Sequence, residues 1–235
     1  MQNRRDIFES ESEGNPFALS TGDLMAGLMF IFVLLLSSMM LQVQEKADQD
    51  KEITQEYNRI KTQLYIDLEK EFKDDLMVWN AVIDSTNLSI RFQEPSTLFD
   101  FNKSVLKPKF VNILDDFFPR YIGLINSEEY KDNIEEIRIE GHTDSSGSYE
   151  SNMKLSQDRT RAVLNHCLEI TSDSTQLDWV KYRVTANGLS SSHLIKNIDG
   201  SENRDQSRRV EFRIRTNAEE QLEKIANKRG DIWMR

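Results

Sequence analysis

From Leu24 to Val43 the chain runs twenty residues without a charged side chain, "LMAGLMFIFVLLLSSMMLQV". As a helix rising 1.5 Å per residue, this run is about 30 Å long, the thickness of a bilayer's hydrocarbon core. A secretory signal has an apolar core of roughly 7–15 residues and a small-residue cleavage site. Here the run is longer, and its end with the residues that follow, "LLLSSMMLQVQEK", offers no Ala-x-Ala. The expectation is an uncleaved transmembrane helix over residues 16–43, with Asn15 as its cap and Pro16 at its first position.

One residue does not suit a plain anchor. Asp23 sits where the apolar run begins, about two turns and some 10 Å into such a helix. A carboxylate at the centre of a membrane costs about 2.5–3.5 kcal/mol on insertion scales, and less near an end. Ser20, Asp23 and Gly27 share one face, with Ala26 beside it, and small residues there let other helices come close. The span alone leaves two readings. Asp23 faces protein or water and serves an ion path, or it snorkels into the headgroups. Arg4 and Arg5 favour a cytoplasmic N-terminus, but "DIFESESEG" and the far-side Lys46 and Lys51 dilute the contrast.

The rest of the chain is polar, with 30% charged residues and a mean hydropathy of −0.59. Its 235 residues allow one ordinary domain plus extra segments. A net charge of −10 argues against a nucleic-acid partner, whose binders carry a basic footprint. The single cysteine, Cys167, rules out an intrachain disulfide. There is no P-loop, no G-x-S-x-G and no metal-ligand spacing. His142, His166 and His193 are scattered, with His166 and Cys167 adjacent on an expected helix. The expectation is a chain that is not an enzyme and holds no cofactor or metal.

Residues 44–84 contain neither Pro nor Gly. Ile53, Tyr57, Ile60 and Leu64 are spaced 4, 3, 4, and Leu68, Phe72 and Leu76 continue at spacing 4. This predicts one helix continuing out of the membrane as a linker over 44–86, its stripe paired with a second copy in a homodimeric neck. The alternative is an amphipathic helix lying on the chain's own domain.

From residue 87 the pattern alternates. "NLSIRFQ", "IEEIRIEG", "YRVTANG" and "RRVEFRIR" read as strands, with Ile137 and Ile139 on one face and Val210, Phe212 and Ile214 alternating with charges. "KPKFVNILDDFFPRYIGLI" reads as a helix interrupted or kinked near Pro119. "YESNMKLSQDRTRAVLNHCLEI" reads as a second helix, with Met153, Leu155, Val163, Leu164 and Leu168 inward. The fold class expected is α+β: the transmembrane helix, the helical neck, then a two-layer α/β domain over 87–216. Residues 1–15 are expected to be a cytoplasmic tail and 217–235 a helical C-terminal tail.

"LFDFNKSVLKP", "IRIEGHTDSSGSYESNMKLSQDRTRAV" and "SRRVEFRI" together resemble the OmpA-like peptidoglycan-binding domain. Gly-His-Thr-Asp, Gly147, Asn152, Leu155-Ser156, Arg159 and Arg208-Arg209 keep the family's spacing over some seventy residues. The resemblance implies a site for diaminopimelate, whose ammonium and carboxylate need an anion and a cation at fixed separation. Asp144 and Arg159 would clamp it, since Arg offers a bidentate fork and Asp accepts from an ammonium. Asp100, Thr143, Asn152, Leu155 and one of Arg208 or Arg209 would complete the pocket. The family often reads Asn-Arg-Arg where this chain has Ser207-Arg208-Arg209. The alternative for the pair is a surface salt bridge on a domain without its ligand.

A peptidoglycan domain after the span implies a periplasmic C-terminus in the inner membrane and a cytoplasmic N-terminus. "STGDLMAGLMFIFVLLLSS" resembles the spanning helix of MotB-type stator B subunits, with Asp23 at the ion-carrying position. The short acidic tail and the long helix directly after the span resemble the ZorB family of Zorya anti-phage systems more than flagellar MotB. The resemblance implies a homodimer inside a pentamer of a multi-span A subunit, with ion flow, of protons for preference, past Asp23. A flagellar stator subunit and a passive membrane-to-wall anchor are the alternatives.

Overall fold

The computed structural model describes residues 16–93 and 98–217, with side chains from residue 21. The expected tails, 1–15 and most of 217–235, lie outside the described residues, as does the side chain of Ser20.

Helix α1 (Pro16–Phe72) is unbroken across the apolar run and the polar stretch after it. By length and composition it can cross a membrane, with a peak mean hydropathy of 2.5 and none of that stretch buried. Leu24 to Val43 present exposed side chains throughout, a surface that water disfavours. Asp23 is exposed on the same helix. The helix stops at Phe72, where Asp74 and Asp75 put negative charge beside the negative end of the helix dipole.

The described residues divide into two compact units between Glu52 and Ile53. In the second, one face of α1 closes a hydrophobic core: Ile60, Leu64, Leu68 and Phe72 are buried, the last three within the core cluster. Tyr130 donates to Asp67, and Arg120 pairs with Glu71 at 2.8 Å and with Asp75 at 2.9 Å, fixing the helix end. The lower part of the stripe assigned to a dimeric neck is therefore covered by the chain's own domain. The expected boundary at residue 87 moves accordingly, because the compact unit starts at Ile53.

The expected helix over 44–84 is also corrected at its end. After α1 come a single turn α2 (Leu76–Trp79), then Asn80 in the left-handed region at φ 50°, then strand β1 (Ala81–Asp84). Asparagine tolerates that conformation and so reverses the chain. The remaining elements are β2 (Ser89–Phe92), α3 (Pro108–Ile125), β3 (Ile134–His142), α4 (Tyr149–Ile170), α5 (Ser174–Arg183), β4 (Val184–Gly188), α6 (Arg204–Ser207) and β5 (Arg209–Thr216). The sheet order is β1-β2-β5-β3-β4, antiparallel except for the parallel pair β3–β4. Two domain helices were expected after residue 87; α5 and the single turn α6 are additional.

The register sorts the two faces. Ile139 pairs with Phe212 and Phe212 with Ile90, so the apolar residues share the face on which the helices pack. Helix α3 runs through Pro119 without interruption and offers Phe110, Ile113, Leu114, Phe117, Phe118, Tyr121, Ile122 and Ile125 at 3- and 4-residue spacings. Phe117 lies 5.3 Å from Phe72, 5.0 Å from Phe92, 4.9 Å from Tyr121 and 5.0 Å from Phe212, ring centre to ring centre. One ring thus joins α1, α3, β2 and β5.

Helix α4 differs from the expectation. Its fully buried face is Asn152, Ser156, Arg159, Thr160, Val163 and Cys167, mostly small or polar; Met153, Leu155, Leu164 and Leu168 are only partly buried. The reason is close approach. A Cβ on Gly141 would lie 2.6 Å from Thr160 Cγ2, and one on Gly188 would lie 2.4 Å from the Gln157 nitrogen. Small residues on both sides let the helix descend onto β3 and β4, which brings its first turns level with the end of β3.

Candidate functional site

The end of β3 and the start of α4 frame a cavity of about 560 Å³. Thr143 and Asp144 follow β3, and the Thr143 amide donates to Ser190 O at 2.9 Å. The chain then turns tightly. The Ser146 amide donates to Asp144 Oδ1 at 2.9 Å, Gly147 sits at φ 87°, and Ser148 caps α4 by accepting from the Ser151 amide. Asn152 Nδ2 donates to the carbonyls of Ser146 at 2.9 Å and Asp144 at 3.3 Å. Asn152, expected to serve the ligand, thus holds the loop that carries Asp144.

Asp144 and Arg159 line the same cavity, together with Asp100, Thr143, Asn152, Leu155 and Arg208. They are not paired with each other in the hydrogen-bond network. Arg159 donates from Nε to Lys103 O at 2.9 Å and from Nη2 to Asp100 O at 3.3 Å, and it lies 4.8 Å over the Phe99 ring. Asp144 Oδ2 accepts instead from Arg208 Nη1 at 2.5 Å. Burial pushes the Arg159 guanidinium down to about 10, helped by the nearby Arg208, so it remains cationic at neutral pH. Burial would raise the Asp144 carboxyl, but Arg208 and the Ser146 amide outweigh it and hold the group below the ordinary carboxylate range. Asp100 is exposed and lies 3.1 Å from Lys107 Nζ, which holds its carboxyl low as well. Thr143 Oγ1 is buried and has no hydrogen-bond partner among the described residues.

Arg208 and Arg209, which the sequence left as alternatives, go to opposite places. Arg208 lines the cavity and also bonds Asp205. Arg209 is buried on the far face of the sheet, where it donates to Glu211. There Glu211 also accepts from Arg91 Nε at 2.9 Å and Ser89 Oγ at 3.1 Å. Arg209 is therefore corrected from pocket residue to structural residue, because alternation along β5 turns successive side chains to opposite faces. Ser207, where the family often has Asn, is buried and fastens the preceding loop: its Oγ accepts from the Ile195 amide at 2.9 Å.

The histidines are not all scattered. The rings of His142 and His193 lie 6.1 Å apart, and His142, Glu140 and Glu211 bring potential ligand atoms within 4.8 Å of one another in a buried cluster. Arg91 and Arg209 already neutralise Glu211 there, so a divalent cation would add unbalanced positive charge. His166 is elsewhere, 2.8 Å from Asp115.

The cavity has lining residues that the sequence reading did not single out: Phe99, Phe101, Asn102, Lys107, Ser146 and Arg204. Phe101 illustrates why. It has the same parity as the buried Phe99 in "LFDFNK", but Asn102 at φ 55° turns the chain, and Phe101 stands 97% exposed.

Residues 98–209 match the OmpA family. Over 223 residues, 92% of this chain and 94% of the relative, the sequence is 42% identical to the Zorya protein ZorB of Escherichia coli. It is 30% identical to the peptidoglycan-associated lipoprotein of Pseudomonas aeruginosa over 84 residues, 36% of this chain and 45% of that protein. The periplasmic domain of Helicobacter pylori MotB aligns in structure with a TM-score of 0.41 at 18% identity, over 61% of this chain and 84% of that domain.

Proposed function

The chain belongs to the ZorB family and carries an OmpA family domain, and from that premise we propose that it is the wall-held B subunit of an ion-driven stator in the inner membrane, acting in anti-phage defence. One observation carries the reading: a single chain joins an uncovered apolar helix with a carboxylate at its start to a domain whose cavity sets a fixed carboxylate near a fixed guanidinium. A membrane-to-wall anchor needs the helix and the domain and has no use for the carboxylate.

In this reading α1 spans the membrane once over 16–43, with residues 1–15 cytoplasmic, 44–52 leading to the domain, and the domain and residues 217–235 periplasmic. Two copies sit within a ring of multi-span A subunits, whose helices cover the exposed apolar surface. Asp23 carries the ion, with protons preferred. A neutral carboxyl is tolerated in an apolar site and a charged one is not, so gain and loss of a cation change its preferred surroundings. That alternation biases a rotation step. The chain performs no covalent chemistry of its own.

The domain holds diaminopimelate in the peptidoglycan stem. Arg159 takes the carboxylate as a fork, and Asp144 takes the ammonium after Arg208 gives way. Thr143 Oγ1 offers an unused hydrogen-bonding group, and Asp100 and Leu155 complete the wall.

The test is Asp23→Asn, which keeps size and polarity but removes titration. Expression, membrane insertion and pull-down of the A subunit stay normal, while protection measured by efficiency of plating is lost. Full protection with normal partner capture would make the chain an anchor.

A further inference from the structure

The cavity is larger and more positive than one amino-carboxylate centre requires. At about 560 Å³ it is in the range that holds a whole drug-sized ligand. Its lining carries four cations, Lys107, Arg159, Arg204 and Arg208, against two carboxylates, Asp100 and Asp144. That leaves two positive charges in excess on the lining itself, in a protein whose net charge is −10, and Glu202 beside Arg204 and Asp205 beside Arg208 offset them from outside it. A diaminopimelate centre bound through its ammonium and carboxylate is neutral overall and makes no use of Arg204.

The least committed of these cations among the described residues is Arg204. Lys107 lies 3.1 Å from Asp100, Arg208 is bound to Asp144 and Asp205, and Arg159 is buried. Among the described residues Arg204 has one ion-pair contact, with Glu202 at 3.5 Å, and its side chain is 61% exposed at the cavity's edge. Glu202 is itself engaged elsewhere, accepting from the Ser145 amide at 2.9 Å and from Ser145 Oγ at 2.5 Å. The backbone on either side of Arg204 is fixed. Asn203 Oδ1 accepts from the Gln206 amide at 3.1 Å, and Ser207 Oγ accepts from the Ile195 amide. A guanidinium held over an open cavity with a weak carboxylate partner suits an incoming anion. Phe101, exposed at the same cavity, adds an apolar surface for the ligand's aliphatic part.

Resting on the proposed wall-binding function, we propose that the site reads an acidic peptide rather than an isolated diaminopimelate. The diaminopimelate centre goes to Asp144 and Arg159, and a second free carboxylate of the same peptide goes to Arg204. In a peptidoglycan stem the nearest such group is the α-carboxylate of the glutamate that precedes diaminopimelate, which is either free or amidated.

The experiment is calorimetric titration of the full-length chain in detergent with two synthetic stem tripeptides that differ only at that carboxylate. The wild type binds the free-acid peptide roughly three- to fivefold tighter than the amidated one, the scale of an exposed charge pair. Arg204→Gln removes the difference by weakening the free-acid peptide alone, and Arg204→Lys keeps part of it. Equal binding of the two peptides by the wild type overturns the inference and leaves the wall-binding function standing. So does a preference that survives in Arg204→Gln. If the wild type binds neither peptide, the wall-binding function falls and the inference with it.

Discussion

Asp144 and Arg159 are each held in place by other groups, without touching. Arg159 is anchored by two carbonyls and a ring, and Asp144 by an arginine from the other end of the domain. On the proposed reading a ligand ammonium replaces Arg208 at Asp144, whereas a ligand carboxylate meets an arginine with no carboxylate bonded to it among the described residues. The double variant Asp144→Ala, Arg159→Ala removes both partners of a zwitterion. It should abolish pelleting with purified sacculi while the domain stays folded. Truncating one partner of a desolvated charge pair costs on the order of 2–5 kcal/mol. Pelleting at the wild-type level would end the diaminopimelate assignment. The identities of these residues could be read from the sequence through their family spacing. The exchange of partners could not, because which guanidinium reaches Asp144 depends on how β5 and the loop before it are laid beside β3. Nothing in the order of residues separates Arg208 from Arg209 except the parity of a strand whose start had to be known first.

Among the elements, α1 shows what a periodic stripe does and does not say. Spacings of 3 and 4 state that one helical face is covered. They do not state by what. Ile60, Leu64, Leu68 and Phe72 are covered by the chain's own core, whereas Ile53 and Tyr57 are only half-buried. A cysteine at residue 64, in a Cys167→Ser background, should resist a maleimide in the native protein, and a cysteine at residue 53 should react. A reactive residue 64 beside a protected residue 53 would return the stripe to a pairing between copies. Leu68→Ala should destabilise the domain by about 2–5 kcal/mol, the range for a large-to-small change in a packed core, read by denaturant unfolding. Its absence would mean that α1 is no part of the core. Strand β1 was missed for a related reason. "VWNAVID" joins a helical stretch with no Gly or Pro, and only Asn80 in the left-handed region reverses the chain there.

Over the whole molecule the sheet is asymmetric, with aromatic and aliphatic residues under the helices and a network of charges on the other face. Arg91 bridges Asp84 and Glu211, and Arg138 and Arg215 flank Glu136. Burial raises the carboxyls of Asp84, Glu136 and Glu211, but their hydrogen bonds and cations outweigh it and hold each one low. Such groups add stability above their unfolded pKa, near 4, and lose it as the pH falls through the lower folded value. Burial lowers His142 as well, so the fold keeps it neutral while the unfolded chain takes up a proton below about pH 6.5. Both effects have the same sign. Thermal unfolding of the full chain should show a Tm that is flat above about pH 7, declines gently below it and falls steeply below about pH 4. His142→Gln should remove the gentle limb and leave the steep one. A Tm unchanged down to pH 3 would show that these charges play no part in holding the sheet.

Legible in the order of residues is whatever depends on composition along the chain and on short-range period. A span of membrane length with an acid at its start, an α+β domain after it, the apolar faces of β3 and β5, and the residue types of the proposed site all belong here. These follow from local physics: water excludes an uncharged run, and each secondary structure repeats its covered face at its own interval. Only the tertiary structure decided which covered face meets which. It gave the stripe of α1 to the domain core, sent Arg209 to the far side of the sheet, let α4 settle on Gly141 and Gly188, and gathered Phe101, Arg204 and Arg208 around Asp144 and Arg159. Phe101 and Arg208, at one cavity, are 208 − 101 = 107 positions apart. Periodicity carries no information across such distances, and only the closing of the sheet makes the contacts.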